Sequence, residues 1–66
     1  MDNKLLWWGY QHTSGTLQVK RYFDKQDIEE AHESPFCEII VGPFGATDRD
    51  DALLTLQETI EEHKNN

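Results

Sequence analysis

The residues of this chain that are suited to chemistry are three histidines, one cysteine and thirteen carboxylates. The candidate metal ligands and nucleophiles are His12, His32, His63 and Cys37, and no two of them form a close pair such as Cys-x-x-Cys or His-x-x-x-His. Cys37 lies in an apolar segment, where a cysteine is usually an inert core residue. The isolated glycines form no phosphate-binding loop. We therefore expect a protein that is not an enzyme and that has no catalytic residue, metal site or cofactor.

Charge is distributed unevenly along the chain, whose formal net charge is −7. Residues 3–23 contain Lys4, Lys20 and Arg21 and no acid, whereas ranges 1–2 and 24–66 hold all 13 acidic residues and three basic ones. Phosphate contacts require clustered Lys and Arg, so this composition disfavours nucleic-acid binding. We expect a mildly basic N-terminal hairpin and strongly acidic helices.

The acidic helices suggest two interpretations. In the first, the carboxylates simply lie on solvent-exposed helix faces. In the second, they form a surface that engages a basic partner protein, as in inhibitors that imitate nucleic-acid phosphates. The candidate acidic surface consists of Glu29, Glu30, Glu33, Asp50, Asp51, Glu58, Glu61 and Glu62.

A chain of 66 residues forms one small domain, 1–66, with a thin stability margin. Small domains compensate with disulfides, metals or oligomerisation, and a single cysteine excludes an internal disulfide. We therefore expect close packing together with self-association, in the form of a homodimer. The lone Cys37 fits a reducing compartment. We see no signal peptide and no apolar stretch near the ~20 residues of a membrane helix, so we expect a cytoplasmic protein without membrane contact.

The elements that position these residues begin with a β-hairpin. Ranges 5–13 and 16–23 are rich in aromatic and β-branched residues, and Ser14-Gly15 between them suits a two-residue turn. That turn pairs Trp7 with Tyr22 on one face of the hairpin. The opposite face, which is mostly apolar, then pairs Tyr10 with Val19 and should point toward the core.

Two helices and a third strand complete the expected fold. Asp24 is a suitable N-cap for the first helix, and Ser34-Pro35 ends it. Range 36–41 is apolar enough for a strand. Thr47 is the expected cap of a second helix over 48–63, whose apolar residues recur at helical spacing. They are Ala52, Leu53, Leu56 and Ile60.

The element order β-β-α-β-α predicts the α+β class. The simplest arrangement is a two-layer domain with a three-stranded antiparallel sheet in the order 2-1-3 and two helices on one face. The other face would then remain open. Its third-strand residues would be either Glu38 and Ile40 or the set Cys37, Ile39 and Val41.

The open face is the predicted interaction surface. We expect Trp7 and Tyr22 to be its anchors and Gln18 and Lys20 its rim, because exposed contiguous rings usually mark a partner surface. Homodimerisation through this face is the leading prediction. Trp7 and Tyr22 could instead form only a stabilising cross-strand pair. Stacking of nucleic-acid bases on these rings is a further alternative, which the acidic helices disfavour.

One junction resembles a known family. The run Val41-Gly42-Pro43-Phe44, followed by Thr47 and Ala52, is similar to the strand-to-helix junction of SPOR domains, which bind bacterial cell-wall glycans. The likeness covers about a dozen residues. The chain begins with a hairpin where a SPOR domain has a strand-helix-strand unit, and it shows no export signal. The expected function is therefore taken from the residues alone.

Overall fold

The computed structural model describes residues 4–64 and contains three strands and two helices. The sheet has the order β2-β1-β3, and both neighbouring pairs are antiparallel. The predicted α+β class, strand order and antiparallel direction of both strand pairs are confirmed. The elements in chain order are β1 (Leu5–His12), β2 (Leu17–Arg21), α1 (Lys25–Glu33), β3 (Cys37–Ala46) and α2 (Arg49–Lys64).

The hairpin turn is one residue longer than predicted. The Gly15 N–H donates to the His12 carbonyl at 2.8 Å, and the His12 N–H donates to the Thr16 carbonyl at 2.8 Å. The loop therefore consists of Thr13, Ser14 and Gly15, and Gly15 has a φ of +98°, which favours glycine. A turn followed by a left-handed glycine is the usual form of a three-residue hairpin loop.

The longer loop changes the register of the hairpin. Trp7 faces Arg21 and Gly9 faces Val19, so the predicted pairing of Trp7 with Tyr22 is wrong. A shift of one residue in one strand exchanges the side chains that share a face. Trp7 and Val19 now point toward α2. They form the core with residues of β3 and α2, namely Ala46, Ala52, Leu56 and Ile60.

The long helix α2 packs as its sequence predicts. Ala52, Leu56 and Ile60 are buried, and Leu53 packs against the same cluster. Its N-terminus begins one residue later than expected, since the Asp51 N–H donates to Asp48 Oδ1 at 2.8 Å. Asp48, and not Thr47, is therefore the cap. No helix within residues 4–64 has the length and apolarity to cross a membrane.

The short helix α1 begins and ends where its sequence predicts. The Gln26 N–H donates to Asp24 Oδ1 at 2.9 Å, and the Ser34 N–H donates to the Ala31 carbonyl at 3.1 Å. Ala31 is the buried residue of this helix. It shares a groove with Trp8 and Tyr10, whose side chains point away from α2. The helical cover is thus divided between the two faces, so the expectation that both helices cover one face is wrong. The reason is that α1, through Ala31, packs on the side of Trp8, whereas α2 packs on the side of Trp7.

The structure shows which residues of β3 face the core. Ile39 and Val41 pack against the core beneath α2, so Ile40 lies on the opposite face. The pairing with β1 shifts between Gln11 and His12, and Cys37 consequently faces His12. Cys37 joins the aromatic residues of β1 in lining the groove.

Gly9 allows α2 to approach the sheet closely, and this contact generates a prediction. A Cβ at Gly9 would lie 2.6 Å from the Gln18 carbonyl oxygen and 2.8 Å from Leu56 Cδ2. We expect Gly9→Ala to lower the free energy of unfolding by about 1–3 kcal/mol, because the helix must move away. Urea unfolding followed by circular dichroism measures this.

Gly45→Ala is the matched control for this prediction. Among residues 4–64, a Cβ at Gly45 would meet only Lys4, at 3.7 Å from its Cδ, which is an ordinary contact. Its effect should stay within about 0.5 kcal/mol. Equal stability losses for the two variants would show that the close approach at Gly9 does not limit packing.

Candidate interaction surface

A groove lies between α1 and the sheet, on the face opposite α2. Trp8 forms part of its wall and is only 4% exposed. The Tyr10 ring lies 5.8 Å from the Trp8 ring, between centroids. The groove has a volume of about 460 Å³ and is open to solvent. Its aromatic lining gives it apolar area, and its rim carries charge.

The two sides of the groove carry opposite charges. Lys20 and Arg21 come from β2, whereas Asp27 and Glu30 come from α1. The Lys20 Nζ lies 5.9 Å from the centre of the Trp8 ring. Such a contact holds the ammonium over the ring face by electrostatic attraction. We call Lys20 the basic wall and Asp27 with Glu30 the acidic wall, because the Arg21 guanidinium lies against the Trp7 and Phe23 rings instead.

Phe23 extends the groove at the end of β2. Its side chain is 77% exposed, and the Arg21 guanidinium carbon lies 5.6 Å from its ring centre. A phenylalanine directly before the Asp24 cap is expected to pack onto Ile28 of the helix. The high exposure of Phe23 shows that its ring is largely uncovered. The same guanidinium carbon lies 5.6 Å from the Trp7 ring, so Arg21 bridges the core ring and the exposed ring at the sheet edge.

Two further side chains continue this surface past the end of the groove. The Tyr22 N–H donates to the Leu6 carbonyl at 2.9 Å, which places these residues opposite each other. Leu6 is 52% exposed, and Tyr22 is half-buried. Together with Phe23 they form what we call the apolar end (Leu6, Tyr22 and Phe23). Phe36, also exposed, lies at the hairpin turn and stacks on His12.

The predicted anchor Trp7 does not belong to this surface. It is 8% exposed and packs in the core with Leu56 and Ile60. Its Nε1 donates to the Ala46 carbonyl at 3.2 Å. The prediction that Trp7 is exposed on an open face is wrong, because the three-residue turn places it on the α2 side of the sheet. Trp8 takes the position next to the groove instead.

The other three predicted surface residues share one face. Gln18 pairs with Tyr10 and Lys20 pairs with Trp8, so both belong to the face that carries the groove. Tyr22 follows on the same face, at the apolar end. Lys20 is exposed, and Gln18 and Tyr22 are half-buried. The structure therefore separates the predicted tryptophan anchor from its partners and keeps the remaining three together.

The predicted acidic residues divide between the two helices. Those of α1 line a shallow concavity of about 480 Å³ together with Asp24. Asp51 is half-buried and accepts from the Thr47 N–H at 2.9 Å, so its role is to start α2. The α1 residues are Glu29, Glu30 and Glu33, and the exposed α2 residues are Asp50, Glu58, Glu61 and Glu62.

The histidines and the cysteine lie in separate surroundings. His12 Nδ1 accepts from the Ser14 N–H at 3.0 Å and so holds the hairpin turn. His32 lies on α1, and His63 lies near the end of α2. In residues 4–64 no three His, Cys, Asp or Glu side chains form a group suited to a metal ion.

Sequence reasoning missed Leu6, Trp8, Arg21 and Phe23 as members of the surface. The signal that could have found them was the loop length. Gly15 at the third loop position would have placed Trp8 opposite Lys20, which is the observed pair. The acidic wall had no comparable signal, since it depends on how α1 crosses the sheet.

Comparisons with known proteins add no relative to this picture. The chain matches no protein-family model, and neither the curated proteins nor the solved structures include one with significant similarity. The likeness to SPOR domains therefore remains a resemblance of one strand-to-helix junction.

The two tryptophans differ in their hydrogen bonds, and this difference generates a prediction. Trp7 Nε1 has the Ala46 carbonyl as its acceptor, whereas the buried Trp8 Nε1 has no protein acceptor among residues 4–64. Replacement by Phe removes the same volume at both sites. We expect Trp7→Phe to cost about 1–2 kcal/mol more than Trp8→Phe, because only Trp7→Phe leaves a buried carbonyl without its donor.

Chemical denaturation of both variants measures this difference directly. Each variant retains one tryptophan, so fluorescence and circular dichroism should report the same transition. An equal loss of stability at the two sites would contradict the proposed role of the hydrogen bond to Ala46.

Proposed function

We propose that this chain is a non-catalytic protein-interaction module that self-associates as a homodimer through the apolar end and the adjoining groove. The observation that carries the proposal is the exposure of Phe23 and Leu6, at 77% and 52%, at the same end of the sheet. Large apolar side chains that are contiguous and exposed usually mark an interaction surface. This surface replaces the one predicted around Trp7.

The size of the core supports self-association. Within the described range 4–64, the main core cluster holds six buried residues, of which two are alanines. Burial of apolar area stabilises by roughly 25 cal/mol per Å², so covering the exposed ring of Phe23 in a dimer would add a useful increment. A two-fold dimer is also the commonest way for a small domain to cover such a face.

Two further parts of the proposal follow from particular residues. His12, at the end of β1, is engaged with the Ser14 N–H, and this contact supports a structural and non-catalytic role. The half-buried free Cys37 is suited to a reducing compartment, and we propose a cytoplasmic location on that ground.

Truncation of Phe23 tests the proposed homodimer. We expect Phe23→Ala to weaken self-association about tenfold, because a ring at the centre of a small interface contributes about 1 kcal/mol or more. Sedimentation across a dilution series measures the dissociation constant. The exposed position of Phe23 means that the variant should fold as the wild type does.

Phe36→Ala is the matched control, since Phe36 is also an exposed phenylalanine but lies at the hairpin turn. It should leave the dissociation constant unchanged. A wild-type chain that stays monomeric at every concentration, or equal effects of the two substitutions, would contradict the proposed homodimer.

A second candidate function rests on the acidic concavity of α1. Its carboxylates, Asp24, Glu29, Glu30 and Glu33, line one surface of about 480 Å³. The lining also includes Lys25, so four carboxylates face one ammonium. This excess of negative charge attracts a basic partner and accelerates its association. We propose as the alternative that the chain is an acidic inhibitor or adaptor that engages a basic protein through its helices.

Reversal of three charges tests this alternative. The variant Glu29→Lys, Glu30→Lys and Glu33→Lys should no longer capture basic proteins from a lysate, because the concavity becomes positive. Elution with a salt gradient, followed by mass spectrometry, identifies what is lost.

A triple reversal on α2 provides the control for net charge. Glu58→Lys, Glu61→Lys and Glu62→Lys change the net charge by the same amount at exposed sites. Capture should survive in this variant. Equal loss from both variants would indicate attraction to total charge alone and would contradict a specific acidic surface.

A further inference from the structure

The two walls of the groove make this surface electrically self-complementary. The basic wall belongs to β2 and the acidic wall belongs to α1, and both border the same opening. We propose that the groove binds a second copy of this chain in a two-fold arrangement, in which the basic wall of each copy contacts the acidic wall of the other. This inference rests on the proposed homodimer and specifies its geometry.

Two-fold symmetry imposes the pairing. In such a dimer, if residue i of one copy contacts residue j of its partner, then j contacts i in return. A patch with one sign of charge would therefore repel itself. A patch with Lys20 on one side and Glu30 on the other becomes attractive when its copy is rotated by half a turn. Both side chains are exposed and available for this contact.

The charge of the whole chain favours this face over the others. Two copies with a net charge of −7 repel each other, so contact requires a place where basic groups meet acidic ones. Lys20 and Arg21 are the one pair of adjacent Lys or Arg residues in the sequence. Contact through the acidic surface of α1 would instead oppose carboxylates. The groove is therefore the face through which a second copy approaches with the least repulsion.

The existing contacts hold the two charges in place. The Lys20 ammonium lies 5.9 Å from the Trp8 ring centre, and Glu30 Oε1 accepts from Gln26 Nε2 at 3.2 Å. A side chain that is already restrained loses less conformational entropy on binding. Phe23 lies on the rim of the same groove, so the contact that pairs the walls also covers its ring.

Two single charge reversals test the proposed geometry. In the two-fold dimer, Lys20→Glu places the introduced glutamate against Glu30 of the other copy, and Glu30→Lys places the introduced lysine against Lys20 of the other copy. Each variant should self-associate about tenfold more weakly than the wild type, since exposed ion pairs are modest and two are lost in a symmetric dimer. Sedimentation measures each dissociation constant.

A mixture of the two variants gives the decisive result. In the mixed dimer the glutamate introduced by Lys20→Glu faces the lysine introduced by Glu30→Lys. The unaltered Lys20 and Glu30 face each other across the other half of the interface, so both contacts are attractive. Native mass spectrometry should show the mixed dimer in excess over both homodimers. A statistical mixture, or monomers alone, would overturn the proposal.

The double variant, which carries Lys20→Glu and Glu30→Lys in one chain, extends this test. The charges at positions 20 and 30 are then exchanged, and these two positions still attract each other across a two-fold dimer. The double variant should therefore self-associate as the wild type does. A loss of association as large as that of the single variants would contradict the pairing of these two residues.

An effect of net charge alone would change self-association in the opposite direction, so it can be separated from the proposed pairing by a control variant. Glu30→Lys and Glu61→Lys each make the chain less negative by two units, and both sites are exposed. If total charge governed association, both variants would associate more tightly than the wild type. The proposed geometry requires Glu30→Lys to weaken association while Glu61→Lys does not.

The outcomes separate this inference from the homodimer on which it rests. A wild-type chain that is monomeric at all concentrations overturns both. A wild-type dimer that Phe23→Ala weakens, but that Lys20→Glu and Glu30→Lys leave unchanged, keeps the homodimer and overturns the pairing of the walls. Circular dichroism of each variant confirms that the fold is retained.

Discussion

The register of the hairpin is the constraint on which the rest of the structure depends. Hydrogen bonds between His12 and its partners Gly15 and Thr16 close a three-residue loop and set β1 against β2. Because side chains alternate along a strand, this register decides that Trp7 packs beneath α2 and that Trp8 lines the groove. It also places Gly9 of β1 against Leu56 of α2, where a Cβ would not fit. One residue more or less in the loop would exchange the two faces.

The elements were predictable because their signals are local. The Asp24 cap and the Ser34-Pro35 stop lie within a few residues of the helix that they delimit, and the buried stripe of α2 is visible in the spacing of Leu56 and Ile60. The strand order followed from connection rules and the apolar character of β1. The register was not predictable in this way, because Ser14-Gly15 fits a two-residue or a three-residue loop. Packing against α2, which is distant in sequence, favours one of them.

The candidate site was also predictable only where its residues are placed by local signals. Gln18, Lys20 and Tyr22 were predicted to share a face and do so, since they alternate along the same short segment. Trp7 was assigned to them through the register, and it lies on the other side. The acidic wall could not be placed from the sequence either. Its position depends on where α1 crosses the sheet. That crossing is set by the packing of Ala31 in the folded chain, which no local sequence signal reveals.

The shortness of α1 explains why the groove exists and why it carries both area and charge. A helix with one small buried residue, Ala31, leaves Tyr10 half-buried and Phe23 exposed although Trp8 is buried, so aromatic surface stays within reach of a partner. Apolar area of this kind favours contact without specifying an orientation. In the proposed dimer, opposed charges on the two walls would supply the orientation, because a wrongly placed partner meets like charge. In a chain as acidic as this one, the proposed dimer would therefore take its orientation from the charge pattern and its strength from the rings.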